Sequence, residues 1–253
     1  FVIYCKGREN SGSTISAYLR PIKKIIEDAV REEIIGIELN PFLKFKMPKI
    51  EKTKHRALRI TAIQKIRGHE VKPKTAHWDA KNYFLFMFNN MGMNFIDMAK
   101  LEKHQIHDQK YEERRLVAGR LLYKRSKNGR NYSIKLTSES LDIINHYDFY
   151  QKDKKEKVFP VGFVNTKTGR ATYKQKRKRV NGRLKDIAKK LGLDEEITTY
   201  YARHSWATIA KRKMLPISVI AEGLGHSDVK TTEIYLDSFD SDVLDDANEG
   251  IVS

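Results

Sequence analysis

The sequence predicts a mainly α fold with a small β-hairpin or sheet, split between a short front segment and a larger second domain. Three observations predict it. Apolar residues recur at spacings of three and four in one segment after another. A single Asn-Gly pair, Asn128-Gly129, stands between two short strand-like runs. A basic, weakly patterned stretch over 44–59, with Pro48 inside it, separates two regions of helical pattern.

The first helix is expected over 13–35. Ile15, Leu19, Ile22, Ile26 and Val30 form its stripe, and Ser11 or Ser13 can cap it. Asn40-Pro41 breaks the pattern. A lone helix cannot bury its own face, so this front domain is expected to be incomplete. The second domain opens at Thr61, where Thr61-Ala62-Ile63-Gln64 fits a capping box. The stretch 78–91 is apolar on most faces (Trp78, Tyr83, Phe84, Phe86, Met87, Phe88, Met91) and is read as the central core helix. A short helix over 94–101 follows, with Phe95, Met98 and Leu101 inward. Strands over 121–125 and 132–136 form the hairpin, because Asn and Gly both tolerate the positive φ its turn needs. Thr137 or Ser138 caps a helix reaching Tyr147.

A basic helix is expected over 172–191, stopping at Gly192. Val180, Leu184, Ile187 and Leu191 line its inner side. Lys174, Lys176, Arg177, Lys178, Arg179 and Arg183 occupy the others, a one-signed run that suits a phosphate track. Short helices follow near 201–214, 216–224 and 229–236, with Pro216 in a first turn and Gly225 as a C-terminal cap. The tail 237–253 reverses sign through Asp237, Asp240, Asp242, Asp245, Asp246 and Glu249, and interleaves apolar residues.

Among the 253 residues, Lys and Arg outnumber Asp and Glu by 49 to 32, a formal charge of +17. That excess favours a polyanion partner, since each phosphate contact releases counterions. A solubility surface or a basic RNA-binding structural protein shares the bias. The one cysteine, Cys5, excludes a disulfide framework or a cysteine-rich zinc site within one chain and fits a reducing cytoplasm. No apolar run reaches the roughly 18 residues of a membrane span, and no signal peptide is visible. The chain starts at Phe1 rather than Met, so an upstream segment is expected.

Three clusters carry candidate chemistry: Arg203-His204-Ser205-Trp206, Leu224-Gly225-His226-Ser227, and Thr231-Thr232-Glu233-Ile234-Tyr235. Singly each is weak, because a helical Tyr is usually a packing residue and a His beside Gly is often a cap. In this order and spacing they resemble the C-terminal signature of the tyrosine recombinases, the phage-integrase family. That signature has an Arg-His pair about twenty residues before Leu-Gly-His, and a nucleophilic Tyr nine residues after that His; Arg203-His204, Leu224-Gly225-His226 and Tyr235 match it. Upstream, 92–101 resembles the family's first box, and Arg125-Ser126-Lys127-Asn128-Gly129 its β-hairpin lysine motif. The stretch 13–49, including Asn40-Pro41-Phe42, is similar to the end of its core-binding domain.

The resemblance implies a tyrosine-recombinase catalytic domain over 60–236. Before it come the end of a helical, SAM-like core-binding domain over 1–43 and a linker over 44–59; the tail 237–253 docks on a neighbouring protomer. It implies site-specific DNA cleavage and rejoining through a 3′-phosphotyrosine, with no metal, ATP or cofactor, in an integrase of a conjugative or other mobile element. A phenol oxygen can attack phosphorus and conserve the bond energy, which gives Tyr235 the nucleophile's role. Charge gathers on the nonbridging oxygens in the transition state, and Arg203 offers a planar fork of donors there. Lys127 protonates the leaving 5′ hydroxyl. His226 donates to a nonbridging oxygen or positions Tyr235, Asp97 supports the site, and His204 buttresses the fold. Lys174, Arg177, Arg179, Arg183 and Arg125 are expected on DNA.

Two positions depart from the pattern. The family's first Arg falls on Asn94, which brings no charge; Arg120 or Arg125 then supplies the cation, with Arg120 preferred as able to point inward from its strand. The family's His, three residues before Arg203, is Tyr200, which can donate one hydrogen bond but cannot serve as a base near neutral pH. Implied partners are double-stranded DNA attachment sites, a homotetramer exchanging strands through a Holliday junction, and accessory DNA-bending or excision factors, without a membrane. The implied location is cytoplasmic and nucleoid-associated. Alternatives are a resolvase, an invertase or a type IB topoisomerase using the same chemistry, and a catalytically impaired DNA-binding relic.

Overall fold

A computed structural model describes residues 1–48, 57–147, 156–163, 166–226, 228, 232 and 233. Their packing divides the chain into two units, Phe1–His55 and Arg56–Ser253.

In the first unit, α1 (Val2–Gly7) precedes α2 (Gly12–Arg31). Ser11 is the cap, its Oγ accepting from the Thr14 amide at 3.2 Å. The helix stops four residues short of the expected end, where Glu33 takes a positive φ of 57°. Cys5, Ile15 and Leu19 form a small core with Val2 and Met47 against it. Ile22 of the expected stripe stays exposed.

The second unit is built around α4 (Ala76–Asn89), capped by Thr75. Phe84, Phe86 and Met87 are fully buried in it, each worth about 1.5–3 kcal/mol of transfer free energy. The preceding α3 (Ile60–Gly68) does not use the expected capping box. Thr61 lies inside the helix, because Leu58 is buried and its amide donates to Ser205 Oγ at 2.8 Å, so the helix starts at Ile60. Met91 and Gly92, at φ 56° and 62°, turn the chain into α5 (Phe95–Lys100).

The β element is a three-stranded antiparallel sheet in the order β1 (Ile106–Glu112), β2 (Arg115–Lys124), β3 (Asn131–Lys135). β1 was not expected: only its first residue is buried, so no alternation marks it. Its turn to β2 places Glu113 and Arg114 at positive φ without any Asn-Gly pair. In the β2–β3 turn, Gly129 alone has positive φ (70°). Asn128 contributes its side chain instead, as described below.

Next comes α6 (Ser138–Asn145), capped by Thr137. The basic helix, α7 (Lys167–Lys190), begins five residues before the expected start, capped by Thr166. Tyr173, Leu184, Ile187 and Ala188 are its buried residues, while Leu191 is the C-cap. Finally, α8 (Thr199–Arg212) leads to α9 (Ile217–Leu224), which Pro216 precedes as N-cap and Gly225 ends in the left-handed region. Most of the expected helix over 229–236, and the tail 237–253, lie outside the described residues; residues 232 and 233 are helical. No described helix is long and apolar enough to cross a membrane.

Candidate active site

The end of α9 organises the site. The last carbonyls of a helix lack intrahelical partners and carry partial negative charge, so they attract cations. Leu224 O accepts from both Arg203 Nη2 and Arg125 Nη1. Arg125 Nη1 also donates to Gly225 O at 2.9 Å. Two guanidinium groups, 4% and 5% exposed, therefore meet on one carbonyl. Arg203 is brought there by α8 and by Gly92, whose carbonyl accepts from Nη1 at 3.2 Å. A methyl group on Gly92 would lie 2.7 Å from Arg203 Cα, so only glycine permits this approach.

His226 stands beside them, with Nε2 3.5 Å from Arg203 Nη2 and Nδ1 2.9 Å from the Oγ1 of buried Thr232. Burial, then the charges of Arg203, Arg125 and Lys127, push the imidazole down to about 4, so it is neutral at neutral pH. Gly225 makes the join possible. Its φ of 64° suits glycine, and a methyl group there would sit 2.1 Å from Tyr132 Oη and 2.8 Å from Arg125 Nη1.

The hairpin is tied to the same loop. Asn128 Nδ2 donates to Gly225 O at 2.8 Å, and Arg130 Nη1 reaches His226 O at 3.5 Å while Nη2 pairs with Glu222 at 3.3 Å. Lys127 is exposed at the turn. At the hairpin base, the buried Asp97 carboxylate accepts from the Ser126 amide at 2.9 Å, and Lys100 Nζ donates to Ser126 Oγ at 2.9 Å. Asn94 is half-buried, its Nδ2 3.5 Å from the other Asp97 oxygen.

Arg120 is the correction. It lies on the sheet face opposite Leu121, Tyr123 and Arg125, and does not point inward. Its Nη1 donates to Ser133 Oγ at 3.1 Å, and its Nε is 3.9 Å from Asp108. The period-two alternation of β2 explains this: buried Leu121 and Tyr123 fix the parity, and Arg125, not Arg120, shares it.

Tyr200, three residues before Arg203 on α8, is 44% exposed, and its ring edge meets His204, consistent in geometry with His204 as a packing group. Tyr235 lies outside the described residues. On α7 the expected DNA-contacting residues do not share one face: Arg183 lies nine positions after Lys174, about 180° around the helix. Arg179 and Arg183, with Lys176, border a cavity of about 330 Å³ floored by Tyr83, Phe95 and Val180. Lys174 and Arg177 lie away from it, with Arg177 over the Tyr173 ring. The sequence reading missed Asn128, Arg130 and Thr232. Their proximity to Lys127 and Tyr235 was the one signal available. Among the described residues no His, Cys, Asp and Glu cluster could hold a metal.

Residues 58–242 match the model described as the phage integrase family. The chain is 24% identical to tyrosine recombinase XerD of Lacticaseibacillus casei over 225 residues, 88% of this chain and 71% of that one. It is 27% identical to tyrosine recombinase XerA of Pyrococcus furiosus over 192 residues, 76% of this chain but only 60% of that one. In fold it is similar to the Tn1549 transposon integrase solved with transposon right end DNA, at TM-score 0.62 and 16% identity, covering 99% of this chain and 83% of that one.

Proposed function

The chain belongs to the phage integrase family of tyrosine recombinases, and on that premise we propose that it cleaves and rejoins double-stranded DNA at specific sites through a 3′-phosphotyrosine at Tyr235. One observation carries the reading: two buried guanidinium groups, Arg125 and Arg203, converge on Leu224 O beside a neutral imidazole. Like charges brought together out of water call for an anion, and a phosphodiester with charge growing on its nonbridging oxygens is a suitable one.

In this scheme Tyr235 attacks phosphorus, and Arg203 and Arg125 hold the nonbridging oxygens. Arg125 replaces the charge that Asn94 lacks. Lys127, exposed on the hairpin turn, protonates the departing 5′ oxygen. Asp97 holds the hairpin base through the Ser126 amide, and Asn94 and Tyr200 serve as hydrogen-bond donors. The transposon integrase among the structural neighbours supports a role in moving a mobile element. The acting form is a homotetramer on two synapsed sites, where the acidic tail docks on a neighbouring protomer. A catalytically impaired DNA-binding relic is the second reading, and the uncharged Asn94 favours it.

A nicked suicide duplex, from the junctions of the DNA segment that carries the gene, separates the two. The recombinase traps a covalent protein–DNA adduct that Tyr235→Phe abolishes. A wild-type protein that binds these duplexes without forming an adduct is the relic.

A further inference from the structure

We propose that Asn128 is a positioning residue: its side-chain amide ties the hairpin turn to the loop after α9 and so aims Lys127 toward the Arg125 and Arg203 guanidinium groups. What Lys127 does there rests on the reading above; the tie does not.

An Asn before Gly ordinarily serves a turn by tolerating positive φ, yet here Gly129 alone uses that region, at 70°. Asn128 uses both ends of its side chain instead. Oδ1 accepts from the Arg130 amide at 3.4 Å, within the turn. Nδ2 donates to Gly225 O, 97 positions away in the chain, at 2.8 Å. That carbonyl belongs to the left-handed residue that ends α9, where backbone oxygens lack helical partners and attract donors. It also accepts from Arg125 Nη1 at 2.9 Å, so one oxygen gathers both the base and the tip of the hairpin.

Lys127 lies between two anchors. Before it, the Ser126 amide donates to Asp97 at 2.9 Å; after it, Asn128 holds Gly225. The Lys127 side chain is exposed, long and rich in rotamers, so the backbone must set its direction. Its charge acts on the His226 ring, as those of Arg203 and Arg125 do, which puts it on the side of the guanidinium pair. Without the Asn128 bond, the tip keeps among the described residues only the longer Arg130 contacts, 3.5 Å to His226 O and 3.3 Å to Glu222. The step that depends on this aim is departure of the 5′ oxygen. The P–O5′ bond breaks, its electron pair leaves on O5′, and that oxygen takes a proton from the Lys127 ammonium. Rejoining returns the proton to the amine. Asn128 donates to Gly225 O throughout and exchanges nothing.

Two measurements test this, and the first needs no DNA. In ¹⁵N-labelled protein the Asn128 Nδ2 protons should exchange with water about three- to tenfold more slowly than those of Asn131, exposed on the same hairpin, which is the ratio one net hydrogen bond sustains. Equal exchange means that the tie is absent, and the proposal falls.

The second measurement is single-turnover cleavage of the nicked junction duplexes, with an ordinary phosphodiester and with a 5′-bridging phosphorothioate whose sulfur leaves as a thiolate, without a proton. Asn128→Ala should slow cleavage of the ordinary substrate by about three- to tenfold. It should cut the sulfur substrate at the wild-type rate and add nothing to the defect of Lys127→Ala. A defect equal on both substrates, or one that multiplies that of Lys127→Ala, means that Asn128 shapes the His226 loop instead of aiming Lys127. No defect at all means that it positions nothing. Either result overturns the proposal. Asn128→Ser separates the tie from the turn. Its hydroxyl can still accept from the Arg130 amide but falls short of Gly225 O, so it should be as slow as Asn128→Ala. Asn128→Ser at the wild-type rate beside a slow Asn128→Ala assigns the loss to the turn and refutes the tie's role. Absence of any wild-type adduct defeats the recombinase reading and the aiming of Lys127 with it, while the exchange measurement still decides the tie.

Discussion

Replacing Arg125 by Ala separates a catalytic cation from a structural one, because the structure bounds what its loss does to the fold. Arg125 donates to two carbonyls, and each keeps another donor: Leu224 O retains Arg203 Nη2, and Gly225 O retains Asn128 Nδ2. Two net hydrogen bonds are lost, about 0.5–1.5 kcal/mol each. Relief of repulsion between two buried like charges offsets part of that. The folding free energy should therefore change by no more than about 2 kcal/mol. The rate should fall much further. Removing one preorganised donor from developing oxyanion charge costs about 2.7–4 kcal/mol, a factor of about 10² to 10³. Arg125→Lys should lie between, since an ammonium keeps charge but not the fork. Arg120→Ala, on the opposite sheet face, should stay within about threefold of wild type. The assay is single-turnover cleavage of a nicked duplex, alongside urea midpoints for each variant. Arg125→Ala retaining a third of the wild-type rate, or Arg120→Ala showing the larger loss, refutes the reasoning.

Other perturbations follow from the same geometry. Gly225→Ala forces a methyl group to within 2.1 Å of Tyr132 Oη in a left-handed conformation; a loss of about 1–3 kcal/mol is expected by urea unfolding. Asp97→Ala removes the acceptor for the Ser126 amide, so amide exchange over 125–130 should quicken and cleavage should drop more than the urea midpoint does. His226 titrates near 4 when folded and near 6.5 when free. The unfolded chain therefore takes up this proton first as pH falls. Its contribution to stability is present above about pH 6.5 and is lost as pH drops toward 4. Wild type should lose stability across that window relative to His226→Gln; parallel curves count against the neutral buried imidazole. Deleting 240–253 should weaken synapsis on paired DNA sites without weakening single-site binding, and undiminished tetramer formation removes the docking idea.

Much of this was legible in the chain, for physical reasons that differ by region. The greasy run of α4, the Thr137 cap and the Gly225 stop are local signals, and local signals survive into the fold. β1 was invisible because a strand with one buried residue has no alternation to read. The Thr61 cap failed because a distant partner, Ser205, holds Leu58 and moves the helix start. Within the candidate site, Arg203 and His226 were singled out by the resemblance that their order and spacing carry, and the structure brings them together. Choosing between Arg120 and Arg125 was harder. It needed the parity of β2, which the side chains of Leu121 and Tyr123 set only once the strand is packed. Thr232 was passed over because its contact with His226 is an atom-to-atom one that no spacing rule specifies.

The most direct test is the chemical identity of the protein–DNA bond. Cleavage of a 5′-end-labelled nicked strand should transfer its label to the protein, since a 3′-phosphotyrosine keeps the upstream fragment. Trypsin should release that label on the peptide beginning at Thr231, after Lys230, with the modification on Tyr235. Label carried by the 3′-end fragment, or a modification that maps elsewhere or persists in Tyr235→Phe, contradicts the account.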